Sequence, residues 1–178
     1  MNPSTELCKI YAYPNSDFGG MYGDEKPTDP SCVKSLTGFV ITFADVPILW
    51  QSKLQMETVL STMEVKIIAL AACCRELFPI IDMVTLLTSS VNLPIGETTI
   101  NLSVHDDKSD ALVLAMTPPQ FTPWSKYYAS KTIWFHGETH TWGIKLLKID
   151  SVEQLGDIFT KGLVQVPFEF LWKILIVW

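Results

Sequence analysis

The stretch Leu60-Ser-Thr-Met-Glu-Val-Lys-Ile-Ile-Ala-Leu70 constrains the fold most, because it opens the longest helical pattern in the chain. Ser61 lies three residues before Glu64, the spacing of a capping box, in which each side chain satisfies a backbone N–H left over at the helix start. Behind it, Val65, Ile68, Ala69, Ala72 and Leu77 recur at helical spacing, so one stripe of the helix must be buried against another layer. Pro79 is expected to end or kink this helix, since proline removes a helical hydrogen bond. The apolar pattern resumes through Ile81, Val84 and Leu87 and breaks at Asn92-Leu-Pro94.

What the helix packs on is written in strand-like runs. Lys9 to Tyr13, Thr37 to Phe43 and Ile48 to Lys53 are rich in β-branched and aromatic residues and form a hairpin or a three-stranded meander. Pro14 to Gly20 reads as a strand end and turn, 23–35 as a loop, and Ala44-Asp-Val-Pro47 as the turn between the second and third strands. Further on, Thr98 to Val104 suits a strand and Asp106-Asp107 caps a short helix from Lys108 to Met116. Pro118, Pro119 and Pro123 make a rigid loop, Ser125 to His136 a helix, and Trp142 to Ile149 a strand. Ser151 with Gln154 gives a second capping box, opening a helix that carries Asp157, and Phe168 to Val177 is the last helix. Strands and helices in this order close as a mixed α/β sheet with helices on its faces.

Apolar residues make up 48 % and charged residues 18 % of the 178 positions, which describes one globular domain with a full core rather than a disordered chain. The net charge of −6 argues against a broad, sequence-blind grip on nucleic acid phosphates but leaves room for an acidic site that works through metal ions. Cys8, Cys32, Cys73 and Cys74 form no C-x-x-C and read as reduced and structural, pointing to an intracellular, not secreted, protein. The tail from Phe168 to Trp178 is too short to cross a bilayer, so no membrane partner is expected.

Three carboxylates share a structural position. Glu64 starts a helix after a strand, Asp107 follows the fourth strand, and Asp157 follows the fifth; parallel strand ends gather such residues into one crevice. Carboxylates so gathered repel one another unless divalent cations neutralise them, and Mg²⁺ prefers hard oxygen ligands of this kind. Acidic residues at helix starts are also common for purely local reasons, so on local pattern alone capping is the favoured account of Glu64.

The chain resembles the ribonuclease H module at the C-terminal end of copia-type retrotransposon polyproteins. The resemblance rests on Tyr13-Pro-Asn-Ser-Asp-Phe-Gly-Gly20, Val33-Lys-Ser-Leu-Thr-Gly-Phe39, Leu49-Trp-Gln-Ser-Lys-Leu-Gln55, Leu60-Ser-Thr-Met-Glu64 with Ile68-Ala-Leu70, Val104-His-Asp-Asp107 and Gln154-Leu-Gly-Asp-Ile-Phe-Thr-Lys-Gly-Leu163. It implies a ribonuclease H-like mixed five-stranded sheet flanked by helices over 9–163, between a tail at 1–8 and an apolar helix at 164–178. It also implies two-metal hydrolysis of the RNA strand of an RNA–DNA hybrid with Mg²⁺ or Mn²⁺. The metal ligands it assigns are Glu64, Asp107 and Asp157. The fourth, the first Asp of an Asp-x-Asp, is Asn15 in this chain, and Asp17, the second Asp, is the candidate substitute.

Asn offers one neutral carbonyl oxygen where a carboxylate offers two charged ones, so a second metal should suffer first. Asp17 faces the same side as Asn15 on an extended strand but lies about 6–7 Å further along. Lys66 stands where these modules show a second acidic residue, Lys108 where they show Asn, Trp124 replaces an Arg and Tyr127 a His. A cation within a turn of Glu64 and another beside Asp107 would compete with metal. No reverse transcriptase segment precedes the module in this sequence. The expectation is an inactive or impaired copy, with a non-catalytic remnant or a binding module as the alternative. His105, His136 and His140 lack a zinc spacing. Trp50, Trp134 and Trp142 suit core or edge packing. Lys53, Lys126 and Lys161 suit either phosphate contacts or solvated positions.

Overall fold

A computed structural model describes residues 9–19, 34–56, 58–59, 61–91, 101–106 and 126–176. The mixed α/β architecture expected from the sequence is present. Strands β1 (Lys9–Asp17), β2 (Leu36–Phe43) and β3 (Val46–Leu54) form an antiparallel unit, and β4 (Asn101–Asp106) and β5 (Lys145–Lys148) extend it in parallel register, in the order β3-β2-β1-β4-β5. Three α-helices are described: α1 (Thr62–Val91), α2 (Lys126–Trp142) and α3 (Gln165–Ile176).

β1 does not stop at Tyr13. It continues through Pro14-Asn-Ser-Asp17, with Asn15 paired to Gly38 and Asp17 to Leu36. The β1–β4 register ends at Ala12, so Pro14 interrupts no pair of that ladder, which is where a strand tolerates proline. The β2–β3 turn is Ala44-Asp45, with both residues at positive φ (50° and 65°), the backbone twist that suits a two-residue hairpin.

Ile10 and Ala12 of β1 and Phe39 and Ile41 of β2 face α1, where they bury Leu70, Cys73, Cys74, Leu77 and Ile81. Both cysteines are free, and burial raises their thiols well above the ordinary range, so they serve as small apolar residues. Helix α1 runs unbroken through Pro79, against the expected interruption. Leu77 and Phe78 before the proline and Ile81 after it are all buried in the same core, which keeps the helix going on both sides of the proline despite the missing N–H. Phe78 also meets Trp134 edge-on at 5.4 Å and stacks on Trp142 at 6.4 Å, docking α2.

The opposite face of the sheet carries a second, smaller core. Val40 packs there with Leu155, Leu171 and Leu175, the last two from α3. Pro167 falls in the first turn of α3, where its missing N–H costs nothing. Phe168 stacks on Trp172 at 5.9 Å on the outer side of this helix, with both rings exposed. Residues 151–159 form two 3₁₀ turns, Ser151–Glu153 and Leu155–Phe159, rather than the expected α-helix. Among the described residues no helix is long and apolar enough to cross a membrane.

Candidate functional site

The site forms where β1, the start of α1 and the 3₁₀ turn Leu155–Phe159 converge. Each is held by local chemistry. The Ser61 hydroxyl accepts the Glu64 N–H at 3.2 Å and the Ser61 carbonyl accepts the Val65 N–H at 3.2 Å, so the Ser61 half of the capping box read from the sequence is realised. Gln55 at the end of β3 donates to the Val65 carbonyl at 3.1 Å and to Thr37 at 2.8 Å, tying the helix start to the sheet.

The 3₁₀ turn is held more tightly still. Gln154, fully buried, accepts the Gly156 N–H at 3.1 Å and donates its amide to the Pro14 carbonyl at 3.2 Å. This is why no α-helix starts at Ser151. The Gln154 side chain reaches across to β1 instead of back to its own helix start. Gly156 then lies directly on β1, and a Cβ there would stand 2.6 Å from the Tyr13 carbonyl oxygen and 2.9 Å from the Asn15 Cβ. A Cβ at Gly38, opposite Asn15, would stand 2.6 Å from Thr160. Glycine at both positions lets the turn press onto the strands.

That close approach brings Asn15 and Asp157 into direct contact. Asn15 is 1 % exposed and Asp157 6 % exposed, and the Asn15 amide N–H donates to Asp157 Oδ1. The same amide donates to Thr160 Oγ1 at 3.0 Å, and Thr160 Oγ1 donates to the Gly156 carbonyl at 3.2 Å. The Asn15 carbonyl oxygen accepts the Lys66 ammonium, whose side chain is buried from the first turns of α1. On the far side, Lys161 Nζ lies 2.7 Å from Asp157 Oδ2, the i,i+4 pairing. The bonded sequence is therefore Lys66, Asn15, Asp157, Lys161. A cleft of about 130 Å³ opens beside it, lined by Asp17, Phe18 and Thr62 as well as Asn15 and both lysines.

Of the residues singled out from the sequence, Asn15 and Asp157 meet and Asp17 borders the same cleft. Glu64 is half-buried in the first turn of α1. Asp107, Lys108 and Trp124 lie outside the described residues, as do the expected helix at 108–116 and the proline loop. Lys66 reaches Asn15, a contact that its position in sequence does not announce. Lys161, read as a phosphate contact or a solvated lysine, pairs with Asp157; the spacing of four from Asp157 was the signal. Gln154, read as half of a capping box, and Thr160, given no role of its own, bond Pro14 and Asn15 about 140 residues away in the chain.

The donor set fits a divalent cation poorly. The Asn15 carbonyl is taken by an ammonium, and the two Asp157 oxygens are taken by an amide and a second ammonium. Among the described residues no group of three His, Cys, Asp or Glu is placed to hold a metal. In comparisons with known proteins, no family model matches the chain and no curated protein matches it.

Proposed function

We propose that this chain is a degenerate ribonuclease H-like module of a copia-type retrotransposon polyprotein. The ancestral reaction is divalent-metal hydrolysis of RNA in an RNA–DNA hybrid, and this copy does not carry it out. The strand order β3-β2-β1-β4-β5, with β4 and β5 parallel to β1, supports the fold part of the reading. One observation carries the loss of activity. Asn15, where the resemblance puts a carboxylate, is buried and bonded on one side to Lys66 and on the other to Asp157. Two-metal hydrolysis needs clustered anionic oxygens free to coordinate, and the two oxygens of Asp157 are committed to the Asn15 amide and the Lys161 ammonium.

The chain's residues in this site therefore position rather than react. Asn15 orients the Asp157 carboxylate and is itself held by Thr160 and Lys66, and Lys161 neutralises the carboxylate. The test is incubation of the purified chain with an end-labelled hybrid and Mg²⁺ or Mn²⁺. No cleavage above background is expected; turnover that Glu64→Gln abolishes would sink the reading.

A further inference from the structure

We infer that the Lys66 ammonium is a built-in counter-cation that closes this site to divalent metal, so that position 66, rather than position 15 alone, is the lock. The inference rests on the reading of the cluster as a former carboxylate centre.

A buried ammonium is tolerated only when it is bonded and its charge is answered. Lys66 is 5 % exposed. One of its bonds goes to Asn15, the side-chain type that accepts from a cation with its carbonyl while donating to an anion with its amide. An aspartate at position 15 has no N–H to offer Asp157. The lysine and the asparagine are therefore chemically matched. With Lys66 in place, Asn15 bridges it to Asp157; with an aspartate at 15, the lysine ammonium would take the new carboxylate as its own ion pair.

Two consequences separate this from a site that merely lacks one ligand. Restoring the carboxylate with Asn15→Asp should add a lysine salt bridge and not a metal site. Removing the charge as well, with Lys66→Met, which keeps most of the buried stem's volume, should leave the new carboxylate at position 15 facing that of Asp157. The two carboxylates then repel unless a shared proton or a divalent cation joins them, and at neutral pH Mn²⁺ competes for that place without a lysine in it.

The experiment is Mn²⁺ titration calorimetry, without nucleic acid, on the wild-type chain, N15D and N15D/K66M, with thermal melts in parallel. The expected result is Mn²⁺ affinity about tenfold or more higher in N15D/K66M than in N15D. The melting temperature should rise with Mn²⁺ only in the double variant. If the double variant is unfolded without metal, it should fold on addition of Mn²⁺, which is the same response. Equal Mn²⁺ affinity in N15D and N15D/K66M overturns the inference. So does a double variant that shows no Mn²⁺ response or folds in no divalent cation. Hybrid cleavage by the wild-type chain would instead overturn the proposed function, and the titration does not depend on it.

Discussion

Gly156→Ala probes the contact on which the site depends. The added Cβ would stand 2.6 Å from the Tyr13 carbonyl oxygen, inside the 3.0 Å that real Cβ contacts respect, and the obstacle is backbone of a strand paired with β2. The strand cannot yield cheaply, so the turn Leu155–Phe159 must retreat. Overpacking of this sort costs about 1–3 kcal/mol. Retreat also lengthens the Asn15 bonds to Asp157 and Thr160, each worth about 1 kcal/mol net. Together these predict a loss of roughly 3–5 kcal/mol. Urea unfolding followed by tryptophan fluorescence measures it as a lower midpoint at unchanged slope. Gly162→Ala is the control, because nothing lies within 4 Å of a Cβ there. Loss of less than about 0.5 kcal/mol in Gly156→Ala, the usual range for a surface substitution, would refute the claim that the turn is pressed onto β1.

Two further outcomes follow from particular groups. Ser61→Ala removes the hydroxyl that accepts the Glu64 N–H and should lower stability by about 1 kcal/mol, read from the same urea midpoint, while Ser61→Asp should retain it. Burial first, then Tyr11, Asp45 and Glu153, pushes the Tyr13 hydroxyl from its ordinary 10.0 up to about 12. The unfolded chain releases that proton first, so the stability held by neutral Tyr13 is intact below pH 10 and falls as pH rises toward 12. Urea midpoints across that window should decline more steeply in the wild-type chain than in Tyr13→Phe.

The sequence-readable parts of this fold are those decided by local pattern. The β-branched runs Thr37 to Phe43 and Ile48 to Lys53 form strands, and Ser61 starts a helix through its own hydroxyl. Local pattern misleads where distant contacts override it. Pro14-Asn-Ser-Asp17 has turn chemistry, yet pairing with β2 keeps it extended, which places Asn15 inside the sheet instead of on a loop. Pro79 ought to break α1, but buried residues on both sides keep it whole. Gln154 resembles half of a capping box, yet it spends its amide on Pro14.

The site divides in the same way. Asn15 and Asp157 could be paired from the resemblance. The Lys66 contact could not, because a lysine in a first helical turn ordinarily points to water and only the fold shows that its ammonium is buried. Charge counting suggested that Lys66 competes at Glu64. The geometry puts it on Asn15, the position to which the resemblance assigns a carboxylate.

A site closed by its own lysine must exclude divalent cations even when they are abundant. Crystals of the wild-type chain soaked in Mn²⁺ and measured for anomalous scattering answer whether it does. Lys66 Nζ should remain on Asn15 Oδ1, with no Mn²⁺ peak at Asp157. An Mn²⁺ peak coordinated by Asp157, with the Lys66 side chain displaced from Asn15, would contradict the closure.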